Sequence, residues 1–171
     1  MNREMRRIKQ LLSEERTIEI MERNTAGVLA LLGDDEYPYA VPISYVYADG
    51  RIYMHSAKEG HKVDAVRNHE KASFCVIDKD QIVPEEYTTY FRSAIAFGKV
   101  RLLEDGEEKK KATELLGRKY YPADTPENLE KVIEKEGSRM VIIALDVEQM
   151  TGKEAIELVR AAEKLCKNPK K

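Results

Sequence analysis

From Tyr39 to Tyr47 the side chains sort with a period of two: Tyr39, Val41, Ile43, Tyr45 and Tyr47 fall on one face, and Ala40, Pro42, Ser44 and Val46 on the other. That period belongs to a strand. Asp49-Gly50 follows, a strong hairpin-turn signal, and Arg51–Ser56 reads as the returning strand. Ala26–Leu32 is a continuous apolar strand before the turn-rich Gly33-Asp34-Asp35-Glu36. Further strands are predicted over Ala72–Asp78, Ala94–Leu103 and Arg139–Val147, with Thr88–Phe91 able to extend the one at Ala94. Pro42 has no N–H for a ladder, so its strand belongs at an edge, at a bulge or beside a ligand.

Helical spacing appears elsewhere. Ile8, Leu11, Leu12, Ile18 and Met21 suggest one broken or two short amphipathic helices over about 4–23, with Ser13 capping the second and Asn24 and Gly27 ending them. Gly60–Asn68 is a short helix with Val63 and Val66 inward. Gly106–Tyr121 packs through Leu115 and Leu116, and Pro126–Glu136 through Leu129, Val132 and Ile133. Gly152–Leu165 reads as a closing helix, and 167–171 as a frayed tail. Six strands in antiparallel hairpin order with helices inserted late predict a mainly β fold, a small barrel with peripheral helices. One domain spans 1–171: helices over 1–24, the barrel with its inserted helices over 25–150, and the C-terminal helix over 151–166.

Composition narrows the classes. The chain has 171 residues, and 29 basic against 31 acidic residues give a net charge of −2, so no overall field favours nucleic acid or a membrane surface. No apolar run approaches the roughly 20 residues that span a bilayer. The charged start, Met1 to Arg7, lacks an apolar stretch behind it, and the expectation is a cytoplasmic protein. Two cysteines make no framework; Cys75 sits in an apolar strand as a small hydrophobe, and Cys166 lies near the basic tail.

The candidate chemistry lies between Tyr37 and Lys62. Gly60, His61 and Lys62 stand where a helix begins, and its free N–H groups and dipole attract a phosphate. Lys62 adds a full charge, and His55 and Ser56 bring polar groups at the end of the preceding strand. His55, His61 and His69 are not read as a metal site, because His61 and His69 are two helical turns apart. No glycine-rich dinucleotide fingerprint occurs, so any nicotinamide would be transient.

The run Tyr37–Lys62, the block Tyr87–Arg101 and the end piece Met150–Leu158 together resemble the nitroimidazole-resistance (Nim-like) flavoproteins of the pyridoxamine 5'-phosphate oxidase-like, FMN-binding split-barrel group. The resemblance implies a six-stranded antiparallel split β-barrel and a homodimer with FMN at the subunit interface. It places Val41, Pro42, Ile43 and Ser44 along the flavin ring, His55 and Ser56 at the ribityl side or ring edge, and His61 and Lys62 at the phosphate. Thr89, Tyr90 and Arg92 are expected to contribute from the second subunit. The implied activity is reduction of a small acceptor, such as a nitroimidazole or another nitroaromatic, by electrons from NAD(P)H, with His55 as the catalytic residue. The chain departs from the oxidases proper: His61-Lys62 replaces an Arg-Lys pair, Tyr39 and Ser44 stand at basic positions, and there is no Trp, so vitamin B6 phosphate is not carried over as substrate. Two other readings stay open: a non-catalytic flavin or haem protein with His55 or His61 as axial ligand, and a deazaflavin-dependent reductase.

Overall fold

The computed structural model describes residues 4–167. Among them seven strands form one antiparallel sheet: β1 Ala26–Leu32, β2 Pro38–Ser44, β3 Val46–Ala48, β4 Arg51–Ala57, β5 Lys71–Val83, β6 Thr88–Leu103 and β7 Met140–Glu154. The order across the sheet is β2-β1-β5-β6-β7-β4-β3. The expected six strands become seven because the run 39–47 breaks at Tyr45. β2 and β3 are separated by that one residue yet lie at opposite edges, so the sheet has to curl until its edges approach.

Tyr45 explains the break. Its ring is fully buried against Phe74, with centroids 4.7 Å apart, and its hydroxyl donates to the Met21 carbonyl at 2.7 Å. Its N–H donates to the Tyr120 hydroxyl at 2.9 Å, which in turn donates to the Thr25 carbonyl. The Tyr45 N–H also reaches the Thr25 carbonyl at 3.3 Å, so the backbone at the bend is held by the Tyr120 side chain together with the residue before β1. Pro42 falls on an edge, because β2 pairs with β1 alone, Pro42 opposite Val28. The Asp49-Gly50 turn closes the β3–β4 hairpin with φ of 50° and 75°.

Among the described residues five α-helices accompany the sheet: α1 Glu14–Arg23, α2 His61–Asn68, α3 Gly106–Tyr120, α4 Pro126–Glu136 and α5 Ile156–Lys167. Ser13 caps α1, accepting from the Arg16 N–H at 3.3 Å. The first apolar cluster before it makes only a 3-10 turn, Ile8–Gln10, and Gly27 does not end a helix but lies inside β1. The curled interior holds Leu29, Ile52, Met54, Phe74, Ile143 and their neighbours. A second cluster on the other side of β4, with Tyr53, Ile142 and Ala144, is covered by Ala112 and Leu116 of α3.

The predicted boundary at Gly152 is corrected, since the chain stays extended to Glu154 and the helix starts at Ile156. Glu154 is buried and held by Arg16 at 2.9 Å and Arg92 at 3.0 Å, while Asp78 binds Arg92 at 3.3 Å and also pairs with Arg23. A buried carboxylate needs such partners, and they pin this stretch beside β6. At Gly98, beside a β6–β7 bulge, an added Cβ would lie 1.9 Å from the Asp146 carbonyl oxygen, so only glycine fits. Cys75 is half-buried, and burial pushes its thiol up. The side chain of Cys166 and the tail beyond Lys167 lie outside the described residues. No described helix is long and apolar enough to cross a membrane.

Candidate functional site

The site lies where the curled sheet fails to close. Continuing the β3–β4 register, with Val46 opposite Tyr53, would set Ser44 against His55 and Pro42 against Ala57. After Tyr45 that ladder is not made. β2 bonds only to β1, and the end of β4 only to β7, His55 opposite Ile142 and Ala57 opposite Met140. The two strands still touch, so two half-paired edges border one slot. Their outward N–H and C=O groups need partners, which makes the slot a place for a ligand with ring acceptors and donors.

At one end the slot meets α2. Gly60, with φ of 122°, caps this helix without a side-chain bond, and its carbonyl accepts from the Val63 and Asp64 N–H groups at 2.8 and 3.1 Å. The His61 and Lys62 N–H groups precede the first helical bond and remain available. Lys62 is half-buried there. The His61 ring stacks on Tyr39, with centroids 4.0 Å apart and 18° between planes, which joins the start of β2 to the helix. Asp34 lies 3.8 Å from its Nε2, and Asp64 pairs with Arg67 at 3.6 Å. Ser56, one residue past His55, is only 5% exposed and its Oγ has no hydrogen-bond partner. A buried hydroxyl without a partner costs stability unless something else satisfies it.

At the other end Ser44 and His55 open into a cleft of about 290 Å³ beneath α3 and α4. Its far wall is apolar, from Leu116 on α3, Leu129, Val132 and Ile133 on α4, and Met140. Tyr120 lines it too, and its clamp on the Tyr45 bend fixes the cleft to the end of β2. Lys119, above the Tyr45 ring at 4.5 Å, is pushed down by burial and Tyr45 is pushed up by the same cause.

The expected residues thus separate into groups. Pro42 and Ser44 lie on the outer face of β2, and His55 on that of β4; Val41 and Ile43 point inward against the core. Val41 and Ile43 can therefore meet a ligand only through their backbone. His61 and Lys62 belong to the α2 end, and Ser56 directly follows His55 on β4. Thr89, Tyr90 and Arg92 are not among the residues lining the cleft with Ser44 and His55. Thr89 pairs with Ile82, the Tyr90 hydroxyl donates to Glu86 at 2.8 Å, and Arg92 is engaged by Glu154 and Asp78. Sequence reasoning missed the α3–α4 contribution. The stripe Leu129, Val132, Ile133 has the spacing of a packing face, yet α4 buries none of its residues fully. Among the described residues no group of three or more metal-binding side chains comes together.

Residues 13–154 match the family described as Pyridoxamine 5'-phosphate oxidase. Among solved structures, the chain is similar to a candidate 5-nitroimidazole antibiotic resistance protein from Bacteroides thetaiotaomicron, at 23% identity and TM-score 0.68, over 84% of this chain and 86% of that one. It is also similar to an FAD-binding protein from Mesorhizobium loti, at 24% identity and TM-score 0.57, over 85% and 97% of the two chains. An FAD and haem binding protein from Mycobacterium smegmatis is a third, at 20% identity and TM-score 0.65, over 90% and 80%. At these identities the likeness is one of fold. No curated protein matches.

Proposed function

The chain belongs to the pyridoxamine 5'-phosphate oxidase family, and on that premise we propose that it binds a flavin, FMN in the first instance, and acts as a reductase of a small organic acceptor. The observation that carries this reading is the slot between the half-paired edges of β2 and β4, with the α2 N-terminus at one end, His55 at the other and the orphaned Ser56 hydroxyl next to His55 on the side towards α2. From Tyr39 to Ser44 it runs five residues, about 16 Å at strand rise, enough to separate a phosphate from a ring system. The solved structures described as FAD-binding support a flavin without choosing between its two forms. A single helix start and one lysine suit a monophosphate, the reason for preferring FMN.

The residues present fit that group. The His61 and Lys62 N–H groups and the Lys62 ammonium would hold the phosphate, with Ser56 Oγ donating a further hydrogen bond. The outward edge of Pro38–Ser44 would meet the ring through backbone groups, with Pro42 presenting a flat apolar surface. When bound, a flavin supplies the hydride chemistry, taking electrons from a reduced nicotinamide and passing them on. His55 stands beside Ser44 at the cleft mouth, where an imidazole can give a proton to an acceptor being reduced. Nitroimidazole or nitroaromatic reduction remains the finer form of this proposal, supported by the likeness to the Bacteroides protein.

A second copy of the chain is part of the reading. Pro42, Val28, Cys75 and Ile95 form one apolar row across β2, β1, β5 and β6, with Pro42 and Ile95 exposed, and Ile77 stands exposed farther along β5. We take this face as the dimer surface; a monomeric mass by sedimentation refutes it. The function is tested by purifying the chain and identifying what comes with it. A yellow protein releasing a molecule of FMN mass supports the reading. FAD, deazaflavin or haem would replace the cofactor, and a chain that stays colourless after soaking in FMN overturns the proposal.

A further inference from the structure

The cleft under α3 and α4 differs in chemistry from the slot it adjoins. Apart from His55, its one ionisable wall residue outside the tyrosine class is Glu136, and no lysine or arginine lines it. Glu136 carries a negative charge partly offset by Lys135 at 3.8 Å and Arg139 at 3.5 Å. Much of the remaining wall is apolar, from Leu116, Leu129, Val132, Ile133 and Met140. At about 290 Å³ it sits at the small end of ligand pockets, which run about 300–1,000 Å³. An anion placed there would lose its water, meet a like charge and find no cation in the wall, whereas a neutral ring would bury apolar surface at no such cost.

We propose that this cleft is the acceptor subsite, and that it selects uncharged aromatic molecules of one or two rings over carboxylated or phosphorylated ones. The inference rests on the flavin reading above, which places the reacting ring at the Ser44–His55 end. α4 is then a specificity element. Its stripe of Leu129, Val132 and Ile133 is left incompletely buried by the fold itself, and Val132 remains 47% exposed at the rim.

The test uses the flavin-loaded chain and a matched pair of probes, naphthalenemethanol and naphthoate, titrated by calorimetry. Because the chain has no Trp, naphthalene fluorescence gives a second readout. The neutral probe should bind at least about 10-fold more tightly than the anion. Val132→Glu, at an exposed position where folding tolerates it, should weaken the neutral probe about 10-fold while leaving flavin content unchanged. Glu136→Gln should tighten naphthoate several-fold. Equal affinities for the two probes, or neutral-probe binding unmoved by Val132→Glu, overturn the inference. A chain that takes up no flavin refutes the functional reading instead, and the same titration on that flavin-free chain still decides the cleft.

Discussion

Ser56→Ala separates a binding role from a structural one, because the two predict opposite signs. In the free chain the Ser56 hydroxyl is buried without a partner. Burying an unsatisfied polar group costs about 1–3 kcal/mol, so its removal should stabilise the ligand-free protein by up to that amount. For a chain of this length each 1 kcal/mol corresponds to about 2–4 °C in Tm. In the loaded protein the hydroxyl would donate to a charged oxygen, a bond contributing about 1.5–3 kcal/mol. Flavin affinity should therefore fall about 10- to 150-fold. Thermal melts with and without FMN, together with a flavin fluorescence titration, measure both effects on one preparation. A ligand-free variant less stable than the parent would mean that the hydroxyl has a partner within the fold. Unchanged flavin affinity would mean that it does not face the ligand, and either result refutes the reasoning.

Two further outcomes follow from the geometry. His55 is exposed on β4 and makes no contact that the core needs, so His55→Ala should retain its flavin and melt within about 0.5 kcal/mol of the parent while turnover falls about 100-fold or more; steady-state assay beside flavin absorbance checks this, and unchanged turnover removes His55 from the chemistry. Stability should drop in acid. Arg101 hydrogen bonds hold the Asp146 carboxyl below its usual value; burial pushes Asp78 up, but Arg23, Asn24 and Arg92 outweigh it and hold it down as well. Carboxyls depressed in the folded state contribute stability that is complete above the unfolded value of about 3.9 and is lost as pH falls through the lower folded values. Tm followed from pH 7 to pH 2.5 should be steady and then fall below about pH 4, and a flat profile refutes these pairs.

Most of the fold was legible in the sequence, and for local reasons. β1 and α4 have the bounds that their apolar patterns predict, Ser13 caps α1, and Asp49-Gly50 turns the hairpin, because each depends on neighbours a few residues away. Pro42 on an edge follows from its missing N–H. The errors came where distant residues decide. Tyr45 breaks a strand whose alternation is uninterrupted, because its ring is claimed by Phe74 and Met21 and its N–H by Tyr120, 75 residues away. Gly152–Glu154 is extended and not helical because Arg16 and Arg92 hold Glu154 beside β6.

The site divides in the same way. The sequence by itself determined the α2 end, since a glycine before a helix start followed by a lysine is a local feature that needs only the backbone to acquire its field. Which edges stay half-paired, and that α3 and α4 leave an apolar cleft over Ser44 and His55, only the tertiary structure decided. Periodicity states which face of an element is apolar but not what meets it, and a stripe on α4 that lines a cleft is spelled like one that fills a core.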